Sequence, residues 1–148
     1  MLGWYLCFLR IIIANEWING NGVFMGQKSK ILVVEDNDFV RMQICRFLTD
    51  GGYDTCESSD GEQALVTVSA DIALVIVDVR MEPLSGFDFI RAIRGDDIDT
   101  PVILVTGDDN PDLLGEASKL GVCAVLKKPV QKDRLIKIIS RILHVERY

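Results

Sequence analysis

Apolar and polar positions along this chain of 148 residues fall into two alternating patterns. Short, nearly unbroken apolar runs occur at Ile31-Leu32-Val33-Val34, Ile72-Ala73-Leu74-Val75-Ile76-Val77, Val102-Ile103-Leu104-Val105 and residues 122–126. Runs of that length, rich in β-branched residues, predict strands buried on both faces. Residues 53–57 predict a more polar strand, which belongs at a sheet edge. Between these runs, apolar residues recur at helical spacing. Asp38 is expected to cap a helix whose stripe is Val40, Ile44, Phe47 and Leu48, with Gly51-Gly52 as its stop. A weak helix is expected from Ser59 or Asp60 to about Val68, and another over residues 87–94. Pro111 opens a helix ending near Gly121. The last helix covers residues 131–144, with Leu135, Ile138, Ile139 and Ile142 on one face. Ile136 and Leu143 lie off that stripe and could offer a partner contact, although scattered exposed apolar residues are ordinary.

Five strand–helix units in alternation predict the α/β class: a doubly wound five-stranded parallel sheet with helices on both faces. Right-handed crossovers leave few topologies. The order 2-1-3-4-5 places the polar second strand at an edge and the most apolar strand in the middle. We read residues 30–148 as this domain and residues 1–29 as an N-terminal extension outside it. Leu2 to Ile13 is apolar but interrupted by Arg10, too short for a membrane span, and without the marks of a signal peptide. Met25-Gly26-Gln27-Lys28-Ser29-Lys30 reads as a natural start just before the first strand. Membrane or partner contact by residues 1–29 is the sharper alternative, and we do not expect it.

Composition narrows the classes. The chain is 49% hydrophobic and 26% charged, which is globular. Its net charge is −6 with no basic stripe, so direct nucleic-acid binding is not expected. Cys7, Cys45, Cys56 and Cys123 show no metal-ligand spacing, and three of them fall in expected core elements. They are read as reduced, buried thiols of a cytoplasmic protein.

The chemistry gathers at the strand ends. Strand one ends on Glu35 and Asp36, strand three on Asp78, and strand four on Thr106, while Lys128 follows strand five. In a 2-1-3-4-5 sheet these ends meet where the strand order reverses, which is the ligand crevice of an open α/β sheet. Taken singly, each residue has an ordinary explanation as a cap, a turn or a solvated surface group. Three carboxylates in one crevice repel and call for a cation, and all-oxygen ligands suit Mg2+. A hydroxyl and an ammonium facing them suit a phosphoryl group. Together they suggest phosphoryl transfer onto a carboxylate.

At this point the chain resembles a known family, the receiver domain of two-component response regulators. The matching motifs are Ile31-Leu32-Val33-Val34-Glu35-Asp36, Val77-Asp78 with Met81 and Gly86, Val105-Thr106-Gly107, and Lys127-Lys128-Pro129. The resemblance implies a flavodoxin-like receiver fold. It implies that Asp78 accepts a phosphoryl group from a histidine kinase or histidine phosphotransfer protein. Asp36 and Asp78 would hold Mg2+ directly, Glu35 through water, and Arg80 through its backbone carbonyl. Thr106 and Lys128 would bind phosphoryl oxygens, Gly107 would leave room for them, and a cis peptide before Pro129 would place Lys128. Output would pass through the fourth helix, fifth strand and fifth helix to an unknown partner. Such a domain is not an enzyme beyond its own phosphorylation and dephosphorylation. Two positions depart from the family pattern. Glu82, followed by Pro83, stands where proline is usual, and Val125 stands where an aromatic ring usually reads out the switch. Arg80 is expected to tune the lifetime of the phosphoryl group.

With no further domain after Tyr148, the expectation is a stand-alone regulator, a phosphorelay intermediate or a receiver fragment. One competing reading is a receiver-like interaction module that takes no phosphate. Another is a flavin- or nucleotide-binding enzyme, but the glycine-free loop Glu35-Asp36-Asn37-Asp38 would repel an anionic ligand. The single histidine, His144, is expected at the surface, far from the crevice.

Overall fold

The apolar runs form the strands they predict. The structure, a computed structural model, describes residues 16–18 and 24–145. The Leu2–Ile13 stretch and Cys7 lie outside the described residues. Five strands, β3 (Lys30–Val34), β4 (Asp54–Ser58), β5 (Ile72–Asp78), β6 (Val102–Thr106) and β7 (Ala124–Lys127), pair in parallel in the order β4-β3-β5-β6-β7. This is the expected 2-1-3-4-5 order, with the polar strand β4 at one edge. Two three-residue strands, β1 (Glu16–Ile18) and β2 (Phe24–Gly26), pair antiparallel in a separate sheet. The sequence pattern carries no period there and did not predict them.

Side-chain alternation in the strands divides the core into two halves, one on each face of the sheet. Ile31, Val33, Leu74, Ile76, Ile103 and Val105 pack with Ile44, Cys45 and Leu48 of helix α1 (Asp38–Asp50) and with Leu135 and Ile139 of helix α5 (Lys132–Val145). Leu32, Val34, Val75, Val77, Val102 and Leu104 face the other way. They meet Ala64 of α2 (Gly61–Thr67), Phe89, Ile90 and Ile93 of α3 (Gly86–Gly95), and Leu113 and Ala117 of α4 (Asp112–Lys119). A parallel sheet covered on both faces explains why its central strands read as continuous apolar runs. Among the described residues, no helix is long and apolar enough to cross a membrane.

Several local expectations need correction. The cap of α1 is Asn37, whose side chain accepts a hydrogen bond from Val40 N, and Asp38 is the first helical residue. Asn37 has the extended backbone that a cap requires, so it wins the role. The second helix, by contrast, is as expected: Asp60 caps it and Val68 follows its last residue, Thr67. Ile136 and Leu143 are partly buried against the α1/α5 half of the core, so they do not form an exposed contact. Of the cysteines, Cys45 is buried, Cys56 is half-buried, and Cys123, just before β7, is exposed.

Burial pushes the Cys45 thiol from its ordinary 9.0 up to about 11. The folded state therefore holds the thiol proton more tightly than the unfolded chain does. The stability this contributes is complete below pH 9 and is lost as pH rises toward 11. In native protein at pH 8, iodoacetamide should alkylate Cys123 well before Cys45, and in urea the two should react at similar rates. Peptide mass mapping over a time course checks this. Equal native rates would contradict the buried placement of Cys45.

Candidate functional site

Register brings the chemistry together. Val34 of β3 lies opposite Val77 of β5, so Glu35, one step on, stands abreast of Asp78. Asp78 in turn lies opposite Val105 of β6, which puts Thr106 at the same level of the sheet edge. Val79 N donates to Val105 O (3.0 Å) and Lys128 N to Thr106 O (2.8 Å), so the chain leaves β5 and β7 tied to β6. The peptide before Pro129 is cis, as the resemblance implied, and a second cis bond joins Glu82 to Pro83.

Glu35, Asp78 and Thr106 are buried, and Asp36 is exposed. The Lys128 ammonium sits 2.8 Å from Glu35 Oε2 and 3.2 Å from Asp78 Oδ2. Burial opposes its charge, but Glu35 and Asp78 outweigh that, and the Lys128 pKa rises above its usual value. Burial pushes the Glu35 carboxyl upward, aided by the Asp78 charge, while Lys128 and the Asn37 N–H pull it back. Glu35 Oε1 accepts from Asn37 N at 3.1 Å. Glu35 Oε2 is buried and receives no aligned hydrogen bond; only the nearby ammonium answers its charge.

That oxygen bears on the metal question. Glu35, Asp36 and Asp78 each offer a carboxylate oxygen within 4.8 Å of the other two. An all-oxygen set with one buried oxygen lacking a hydrogen bond fits a hard cation such as Mg2+. Glu82, the acid that departs from the family pattern, is exposed and stands outside this cluster.

An open cleft of about 520 Å³ lies over Asp78, lined also by Arg80, Gly107, Asp108, Asp109 and Lys128. Thr106 Oγ1 accepts from Asp108 N at 2.9 Å. Arg80 Nη2 reaches Asp108 Oδ2 at 2.6 Å, and this ion pair holds the Asp108 carboxyl below its usual value. Asp109 pairs with Lys127. A Cβ on Gly107 would meet nothing within 4 Å, so the space beside it is open. Gly86 is the opposite case. A Cβ there would run into the Asp78 carbonyl oxygen and lie 3.1 Å from Val79 Cα. Its N–H also donates to Val79 O at 3.0 Å. The loop after the central aspartate therefore closes on a residue with no side chain.

All the expected side chains thus lie at one end of the sheet, with Lys128 in direct contact with Glu35 and Asp78. The parts played by Asp108 and Asp109 were not foreseen. They pair with residues far away in sequence, and no local spacing signals such pairs.

Residues 31–140 match the family model of the response regulator receiver domain. The chain is 34% identical over 121 residues to the chemotaxis protein CheY of Pseudomonas aeruginosa, covering 76% of this chain and 98% of that one. It is 30% identical over 140 residues to the CAI-1 autoinducer sensor kinase/phosphatase CqsS of Vibrio cholerae, covering 88% of this chain but only 20% of that protein. A crystal structure of a response regulator receiver protein from Pseudomonas putida superposes with a TM-score of 0.73 at 31% identity, over 79% of this chain and 99% of that one.

The two glycines should behave differently on substitution. Gly86→Ala should cost about 1–3 kcal/mol, because the new carbon meets backbone that cannot yield. Gly107→Ala should stay within about 0.5 kcal/mol. Urea unfolding of both variants measures the difference, and equal costs would refute the close approach at Gly86.

Proposed function

This chain belongs to the response regulator receiver family of two-component signalling, and from that premise we propose that it accepts a phosphoryl group on Asp78 with Mg2+ and signals by binding a partner once phosphorylated. The donor is a histidine kinase or a histidine phosphotransfer protein, and the domain works in the cytoplasm. One observation carries the reading: a single ammonium, Lys128, lies against two buried carboxylates, Glu35 and Asp78, beside an open cleft.

The reaction follows from the geometry. Asp78 is the nucleophile: its carboxylate oxygen bonds to phosphorus as the donor's N–P bond breaks and the imidazole leaves. Lys128, already 3.2 Å from Asp78, pairs with an incoming phosphoryl oxygen. The Thr106 hydroxyl donates to another, and it can do so while still accepting from Asp108 N. Glu35, Asp36, Asp78 and the Arg80 carbonyl would hold Mg2+, which when bound neutralises charge shared between carboxylate and phosphoryl oxygens. Water later cleaves the O–P bond and releases inorganic phosphate. The Arg80 side chain, paired with Asp108 across the cleft, governs how readily that water enters.

Two surfaces suit two partners. Phe39 and Met42 of α1 are 68% and 61% exposed, and Phe39 flanks a second hollow lined also by Val40, Gln43, Lys128, Pro129 and Val130. This apolar rim next to the cleft is where a phosphohistidine-bearing protein docks. Output uses the α4–β7–α5 face, where Leu114 is exposed. Val125, half-buried against the core, lacks the ring that usually reports the switch, so the output change here travels through other side chains.

Incubation with a small phosphodonor should give a phosphoryl adduct by intact mass. The adduct should depend on Mg2+ and be absent from Asp78→Asn. An adduct without Mg2+, or one surviving Asp78→Asn, sinks the reading. For a protein donor, the double variant Phe39→Ala/Met42→Ala should slow transfer about tenfold or more. Stopped-flow transfer assays should show that loss to be greater than any loss with the small donor.

A further inference from the structure

Arg41 has no part in the chemistry above, yet its guanidinium is hydrogen-bonded into the acidic turn. Its side chain is only 15% exposed. Nη1 donates to the backbone carbonyl of Glu35 at 2.7 Å, Nη2 to Asp38 Oδ1 at 2.5 Å, and Nε to Glu57 Oε2 at 3.2 Å. One guanidinium therefore joins the turn after β3, the first residue of α1 and the edge strand β4.

We propose that Arg41 is a positioning residue for the divalent-cation site: it fixes the peptide plane that aims the Asp36 carboxylate. The proposal rests on reading Glu35, Asp36 and Asp78 as a Mg2+ site. The physical reason is planarity. The Glu35 carbonyl and the Asp36 N–H belong to one rigid plane, so holding that oxygen fixes the direction in which Asp36 begins. Among the described residues, the Asp36 carboxylate has no hydrogen bond or ion pair of its own, so the backbone alone sets its aim. Glu35 is restrained at three other points. Its N–H donates to Ser58 O at 3.1 Å, its Oε1 accepts from Asn37 N, and its Oε2 faces Lys128. None of these holds the carbonyl; Arg41 does. Glu57, the neighbour of Ser58 on β4, braces the guanidinium from the far side.

Two effects of removing Arg41 oppose each other. Losing a cation near an acidic site would tighten Mg2+ binding, whereas losing the aim of Asp36 would weaken it. Here the guanidinium already faces two carboxylates, Asp38 and Glu57, so little of its positive field reaches the metal position. Geometry should dominate. Groups that orient metal ligands from behind are typically worth about 10–100-fold in affinity.

The test is calorimetric titration of the full, unphosphorylated chain with MgCl2, for wild type, Arg41→Ala, Arg41→Lys and Glu57→Gln. Arg41→Ala should weaken Mg2+ binding about tenfold or more. Arg41→Lys should also weaken it, because one ammonium cannot replace a fork that spans three acceptors. Glu57→Gln should lie between Arg41→Lys and wild type. With a small phosphodonor, Arg41→Ala should need more Mg2+ for half-maximal phosphorylation but reach the wild-type maximum at saturation. A merely structural loss would lower the maximum as well. Tighter binding in Arg41→Ala, wild-type affinity in Arg41→Lys, or a maximum that stays depressed would overturn the proposal. Should Arg41→Ala fail to fold, Arg41→Lys and Glu57→Gln decide it by the same criteria. If wild type itself binds no Mg2+, the metal reading fails and takes the proposal with it. If wild type binds and the Arg41 variants match it, only the role of Arg41 falls.

Discussion

A single ammonium resolves the main electrostatic conflict of this fold. Parallel pairing of β3 with β5 sets Glu35 beside Asp78, and both carboxylates are buried. Like charges at that spacing in a low-dielectric site oppose each other. Lys128 lies within 3.2 Å of both. It reaches them because β7 ends at the same level of the sheet and Lys128 N is tied to Thr106 O. The acids, the hydroxyl and the lysine are thus consequences of one register. A slip of one residue in β5 would turn Asp78 to the opposite face and leave Lys128 paired with Glu35 alone.

This dependence explains what could be read from the sequence. An apolar run that ends on a carboxylate marks a buried strand and the level at which it emerges, because charge is excluded from the layer itself. Asp78, Thr106 and the Glu35-Asp36 pair were visible for that reason, and so was the edge position of the polar strand β4. Competing local choices were less visible. Asn37 and Asp38 are both good caps, and the extended backbone at Asn37 decides between them. Cys123 belongs to the apolar run of residues 122–126 but falls in the loop before β7, where periodicity says nothing about exposure. The pairs Arg80–Asp108 and Arg41–Glu57 join residues 28 and 16 positions apart. They arise only once the sheet has placed their loops side by side.

The two departures from the family pattern fall on different parts of the domain. Glu82 lies in the loop beside the site, yet its carboxylate stays outside the acidic cluster. The loop keeps its closure through Gly86, where backbone meets backbone. Val125 is different. It packs partly buried against the half of the core formed with α2, α3 and α4. A β-branched side chain is restricted at χ1 and carries no ring to turn.

The charges over the cleft indicate what takes the ring's place. Asp108 and Asp109 line it together with Asp78, and each is matched by a cation, Arg80 for one and Lys127 for the other. On the proposed function, a phosphoryl group on Asp78 would replace the single negative charge of the carboxylate with about −2, in a space that already holds these acids. Arg80 and Lys128 are the cations lining that space, and Arg80 is the more exposed of the two. Any share of Arg80 drawn to the phosphoryl oxygens is withdrawn from Asp108. The backbone N–H of Asp108 donates to the Thr106 hydroxyl, so a shift of that loop is felt at the residue proposed to bind a phosphoryl oxygen. The coupling that an aromatic ring would supply by packing is thus available here through charge, between the proposed phosphoacceptor, Asp78, and the loop that leads into α4.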